Sequence, residues 1–241
     1  MEILNRQVSP FFDKFYSEIT KNITKPILFC DISTHPVTST RDFDGSCEEN
    51  SEIKIWLNKN QSSDDFEISA AHEITHAVLR REGFPHTTRT QIYAKDEWVS
   101  NIGGRLGSSL SDLVIDARLK KSGFDVTQKH LKNIEGKQSQ IRKEKEERGQ
   151  PEPYGPRGCI WAIYYMSSEF GFHRQQRRRF QRTLQENFPE IAKIGDSLIE
   201  VVRINGFDKP EKMLKSLVGI RDKLSLQDKI KIIDSLNGTQ F

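Results

Sequence analysis

The sequence predicts an α+β fold: a small antiparallel or mixed sheet packed on helices, with a mostly helical C-terminal extension. Three observations predict it. Residues 27–32 and 52–58 are short apolar runs bounded by turn-forming residues, as strands are. Residues 66–81 and 95–121 are long enough for helices and repeat apolar residues at helical spacing. Beyond residue 158 the chain carries successive helix starts, two of them marked by Pro189 and Pro210.

In order along the chain, residues 8–23 place Phe11, Phe12, Phe15 and Ile19 on one helical face. Pro26 leads into the first strand, 27–32. The stretch 33–51 is rich in Thr, Asp, Ser and Gly and reads as loop, with a short strand near 37–40. The second strand, 52–58, alternates before ending apolar. Asp64-x-x-Glu67 reads as a capping box opening the helix 66–81, which Gly83 stops. In the next helix Trp98, Ile102, Leu106, Leu110, Leu113 and Ala117 form one stripe. Gly103 and Gly107 there either permit close packing or mark a break, and Gly123 ends the helix. Residues 127–148 are highly charged and read as a solvated helix. The Pro- and Gly-rich stretch 149–158 is the candidate boundary between an N-terminal part, 1–148, and a helical part, 159–241. A final helix is expected over 226–236.

The composition excludes several classes. At 241 residues the chain buries a core without staples. Three sparse cysteines, Cys30, Cys47 and Cys159, form no disulfide framework and fit a reducing compartment. No apolar run approaches the roughly 20 residues of a membrane span, and the N-terminus does not read as a signal peptide. The reading is therefore cytoplasmic, with no membrane partner. A net charge of +3 does not by itself imply a nucleic-acid partner.

The chemistry concentrates at His72-Glu73-Ile74-Thr75-His76. Residues four apart on a helix share a face, so both imidazoles aim at one point, a spacing suited to one zinc ion. Glu73 lies beside the first ligand on another azimuth, placed to take a proton from a water attacking a carbonyl. Ala70-Ala71 and Ala77-Val78-Leu79 flank the motif, so this turn is expected to be packed rather than solvated.

The run from Ile53-Lys-Ile-Trp-Leu-Asn58 to Ala71-His-Glu-Ile-Thr-His-Ala-Val-Leu79 resembles the zincin metallopeptidases, over about residues 50–125. The resemblance implies zinc-dependent hydrolysis of a peptide bond, with His72 and His76 as metal ligands and Glu73 as general base. It also implies that strand 53–58 pairs with an extended peptide substrate, and that a small cytoplasmic member acts selectively on a repressor, toxin or partner protein.

A catalytic zinc site takes a third protein ligand. The metzincin extension His-x-x-Gly-x-x-His is absent, and His86, beyond the Gly83 stop, reads as a loop histidine. This leaves a carboxylate from the following helix, a gluzincin-like arrangement. Asp112 is favoured, because it sits between Leu110 and Leu113 where an unpaired carboxylate is costly. Glu97 and Asp116 compete. Glu97 has the rival reading of an acidic residue at a helix start, as does Asp96; Asp112 and Asp116 have that of a surface pair, with Asp116 bridged to Lys120. For the oxyanion donor, Tyr164, Tyr165, His130, His173 and Arg118 remain open.

Two further readings stand beside this one. Residues 173–182 carry five arginines, and Phe180 there could stack on a base, which makes a regulator contacting nucleic acid the weaker alternative. The other is a non-catalytic zincin-scaffold binding module, against which Glu73 argues. Gly103-Gly-Arg-Leu-Gly107 lacks the ending of a phosphate loop, and no Gly-x-Ser-x-Gly elbow occurs. The substrate and the oligomeric state stay open.

Overall fold

The computed structural model describes residues 1–36 and 44–241, with side chains throughout except at 128–130 and 132–133. The short strand expected near 37–40 lies outside the described residues. The class is α+β with helix dominant, 61% of the chain. The chain divides into two compact units: Met1–Arg81 with Ile115–Val126, and Glu82–Val114 with Thr127–Phe241. Among the described residues no helix is long and apolar enough to cross a membrane.

The first unit opens with a hairpin, β1 (Glu2–Ile3) and β2 (Arg6–Gln7), turned by Leu4 and Asn5 at positive φ. Helix α1 (Pro10–Thr20) starts behind Ser9, whose side chain accepts the Phe12 amide, with Pro10 pre-set for the first turn. Three strands then build a mixed sheet: β3 (Ile27–Asp31), β4 (Gly45–Glu49) and β5 (Ile53–Leu57). Their order is β3-β5-β4, with β5 parallel to β3 and antiparallel to β4. Ile53, Ile55 and Leu57 are fully buried on it. β4 falls where sequence reading expects loop. Its Gly-Ser-Cys-Glu-Glu run has little strand propensity, so its pairing with β5 makes it a strand.

Helix α2 (Ser63–Arg81) packs on β4 and β5. Its first turn is capped by Ser62, not by the expected Asp64–Glu67 box. Ser62 Oγ accepts the Asp65 amide at 3.2 Å and donates to the Asp65 carboxylate at 2.9 Å. Glu67 instead accepts from the Ser9 amide and hydroxyl, tying α2 to the start of α1. Gly83, at φ +90, ends α2 as expected.

The second unit begins with β6 (His86–Arg89), antiparallel to β7 (Ile230–Ile233). Both depart from expectation. His86 is a strand residue whose Nδ1 lies 3.0 Å from the Ser235 hydroxyl, and the final helix expected over 226–236 is replaced by β7. Helix α3 (Glu97–Lys121) is unbroken through its glycines. They admit β6: the Thr87 hydroxyl donates to the Gly103 carbonyl at 2.8 Å, and a Cβ on Gly107 would stand 2.7 Å from Thr87 Oγ1. The buried stripe of α3 is Val99, Ile102, Leu106, Leu110, Ile115 and Leu119. Trp98 is half-buried and Ala117 exposed, so the expected stripe is rotated at both ends.

Helix α4 (Thr127–Arg148) is not merely solvated, because Ile134, Gln138 and Ile141 are buried. Residues 149–158 join it to α5 (Pro156–Gly171) inside the second unit. α6 (Arg174–Asn187), α7 (Pro189–Asn205) and α8 (Pro210–Lys223) follow as expected. α5 and α7 pack closely, and a Cβ on Gly195 would stand 2.4 Å from the Tyr165 ring.

Candidate metal centre

α2 is built to sit tightly on its sheet. The residues it buries include Ser69, Ala70, Ala71, Thr75 and Ala77, all small, so the helix axis approaches β4 and β5 closely. His72, Glu73 and His76 are then left half-buried rather than exposed. The two imidazole centroids are 4.9 Å apart with the rings at 72°, as one helical turn dictates.

Asp112 comes from α3, less than one turn before the part of that helix which belongs to the first unit. His72, His76 and Asp112 each offer one ligand atom, and these atoms lie within 4.8 Å of one another. All three residues are half-buried. The group contains neither Glu97 nor Asp116. Glu97 is exposed in the first turn of α3, 15 residues and therefore about 22 Å along the helix from Asp112. Its neighbour Asp96 is the cap, accepting the amides of Trp98 and Val99. Asp116 stands one turn beyond Asp112 on the same side of α3.

Glu73 lies against β4. A Cβ on Gly45 would stand 2.8 Å from Glu73 Cγ and 3.1 Å from its Oε1, so the glycine makes room for the carboxylate stem. β4 is also a sheet edge. The Asn58 amide donates to the Asp44 carbonyl, and the Asn50 amide to that of Glu52. Antiparallel alternation then turns the amides and carbonyls of Gly45, Cys47 and Glu49 away from β5. One of these is engaged, since Arg80 Nη2 donates to the Cys47 carbonyl at 3.4 Å. The strand expected to pair with substrate, 53–58, is central and bonded on both sides. It has no free edge for an added peptide. Among the described residues β4 has that edge, and sequence reading missed it for want of strand propensity.

Of the five candidate oxyanion donors, Tyr165 is core: its ring is buried and its hydroxyl accepts from Gln185 at 2.8 Å. His173 is exposed at the start of α6, and the side chain of His130 lies outside those described. Tyr164 shares its surroundings with Asp112; burial pushes its phenol up, Arg105 works against this, and the Asp112 charge adds to it. The three thiols are free. Burial pushes the Cys47 thiol up to about 12, and Cys47 is not in the ligand group.

The arginine-rich segment forms α6. Arg174, Arg178, Arg179 and Arg182 are exposed, whereas Arg177 and Arg203 both pair with Glu169. Phe180 is fully buried with its ring 5.8 Å from Phe172, so it cannot stack on a base. That removes the aromatic half of the nucleic-acid reading. Sequence reading also missed Lys137 and Arg105; nothing in their spacing distinguishes them from solvated charges. No family model matches this chain, and neither a curated protein nor a solved structure matches it.

Proposed function

We propose that the chain is a zinc-dependent metallopeptidase of the zincin type, gluzincin-like in taking a carboxylate as third ligand, acting on a specific protein or peptide substrate. The observation that carries the reading is the approach of His72, His76 and Asp112 ligand atoms to within 4.8 Å, with Glu73 next in sequence to the first of them. The donor set fits zinc. Ligands about 2.0–2.1 Å from a tetrahedral zinc stand about 3.4 Å apart, so small side-chain rotations close the group on an ion. Two neutral imidazoles and one carboxylate also leave a fourth position open for water or substrate.

When bound, zinc supplies a Lewis acid and makes water a nucleophile near neutral pH. His72 and His76, on one face of α2, and Asp112, on α3, would hold the metal. Glu73, kept against β4 by Gly45, takes the proton of the attacking water and returns it to the leaving amine. Asp116, one turn beyond Asp112, is assigned the orienting of a ligand imidazole, as outer-shell carboxylates do. Tyr164 is the favoured donor to the developing oxyanion. An extended substrate adds to the outer edge of β4 at Gly45 and Cys47, with main-chain bonds supplying affinity.

The test is elemental analysis of protein purified without added metal, beside His76→Ala and Asp112→Ala. About one zinc per chain, lost in both variants, supports the centre and its ligand set. Loss in His76→Ala alone removes Asp112 from it. No bound metal after zinc is supplied sinks the peptidase reading.

A further inference from the structure

Three helices of the second unit line a cavity of about 230 Å³ with charged side chains. Arg105 comes from α3, Lys137 and Glu144 from α4, and Arg157, Trp161 and Tyr164 from α5. The spacings, seven residues on α4 and four then three on α5, keep each set on one helical side.

The single carboxylate is fully used. Glu144 Oε2 accepts from Arg157 Nε at 3.1 Å and from Trp161 Nε1 at 3.0 Å, and Oε1 accepts from Gln140 at 3.0 Å. Burial alone would push its carboxyl up, but the bonds from Trp161, Gln140 and Arg157 outweigh it and hold the group below its usual range. The cations are not matched in the same way. Lys137 Nζ lies 3.4 Å from the centroid of the Tyr164 ring, and the Arg105 guanidinium 5.4 Å from the same centroid. Lys137 has no ion-pair partner among the described residues. Burial, with the Arg105 charge added, pushes its ammonium down to about 7. Arg157 Nη2 is buried without a hydrogen-bond partner. A ring face attracts a cation, but it does not neutralise Lys137, and buried charges in folded proteins are normally paired. The lining carries three positive side chains and one negative.

We infer that this cavity binds a small phosphate-bearing ligand, its oxyanion held by Lys137, Arg105 and Arg157 against the Trp161–Tyr164 wall. Phosphate fits better than carboxylate for two reasons. The cationic donors approach from three helices, and so from three directions, which suits a tetrahedral oxyanion; a planar carboxylate is satisfied by one guanidinium fork. The net positive lining also matches a phosphomonoester carrying a charge of about −1.5 to −2. Size narrows the class. The cavity falls below the roughly 300–1,000 Å³ of pockets for drug-sized molecules, so it takes a phosphorylated molecule of a few carbons rather than a nucleotide. The cavity shares Tyr164 with the proposed peptidase site, but its cationic donors Lys137, Arg105 and Arg157 have no role in that reading, and phosphate binding is read without metal.

Calorimetric titration of the full chain, at fixed ionic strength and without added metal, tests this with inorganic phosphate, glycerol phosphate and acetate. The variants are Lys137→Met, which keeps the apolar stem and removes the charge, and Arg178→Gln as an exposed control. Saturable binding of a phosphate probe, weakened about tenfold or more in Lys137→Met and unchanged in Arg178→Gln, is the expected result. Tighter binding of glycerol phosphate shows a seated organic group, and equal binding shows that the oxyanion alone is read; both support the site. Lys137→Gln serves if the methionine variant does not fold, which a thermal melt reports. Absence of saturable phosphate binding, equal binding in the Lys137 variant, or acetate binding as tightly as phosphate overturns the inference.

Discussion

The chain carries two polar clusters on its helices, and they differ in sign. Around α2, two imidazoles and the carboxylates of Glu73 and Asp112 stand half-buried. Around α4 and α5, Lys137, Arg105 and Arg157 surround Glu144. The first has the composition that attracts a cation, the second the composition that attracts an anion. Their construction differs as well. The first is set by one helical turn plus one residue from the next helix, and small residues press it against a sheet. The second exists only after three helices have packed. Charge imbalance in a half-buried setting is informative whichever way it points, because such groups are costly without a counter-charge.

The sharpest way to break the comparison is at Glu73. In Glu73→Gln, cleavage of a cognate peptide should fall by about 10²–10⁴ while metal content stays at that of the parent, since the base but no ligand is lost. Equal loss of metal would make Glu73 a ligand and end its assignment as base.

A smaller effect is expected at Gly45. Gly45→Val puts carbon where Glu73 Cγ already sits, 2.8 Å away, and should cost about 1–3 kcal/mol in chemical denaturation, with a drop in cleavage. An unchanged denaturation midpoint would show that β4 yields easily and does not fix Glu73.

A stability effect that depends on pH is expected at Lys137. Its folded pKa, about 7, lies below its ordinary value of 10.5. Between these values the unfolded chain binds more protons, so stability rises with pH across that window. The groups around it are Arg105, Gln140, Glu144, Arg157 and Tyr164. Lys137→Met should therefore raise Tm most below pH 7, by about 2–4 °C for each kcal/mol relieved, with the gain shrinking toward pH 10.5. A gain independent of pH would mean that Lys137 is not a buried cation.

Legibility in the sequence followed locality. His72, Glu73 and His76 were readable because one helical period relates them, and Asp112 because its apolar neighbours announced a half-buried carboxylate. The helix stops at Gly83 and Gly123 were readable from backbone freedom, since both take positive φ. β4, β6 and β7 were not. Each is five residues or fewer, and each is a strand because of its partner. Ile230-Lys-Ile-Ile233 fits a strand or a helix equally until β6 is beside it. Lys137 lay in a run of mixed charge that looked solvated, and the cavity it lines draws on residues from 101 to 164, so no short window of sequence contains it.

The β6–β7 ribbon has a consequence for synthesis. His86 and Ser235, in contact across its end, are 149 residues apart in the chain. At about 5–20 residues per second, β6 leaves the ribosome roughly 7–30 s before its partner exists. For that interval a nascent chain holds a strand with both edges bare beside helices already able to form. The second unit is thus completed last by this long-range pairing, and a translating ribosome stalled before residue 230 would present this strand to chaperones or to other nascent chains.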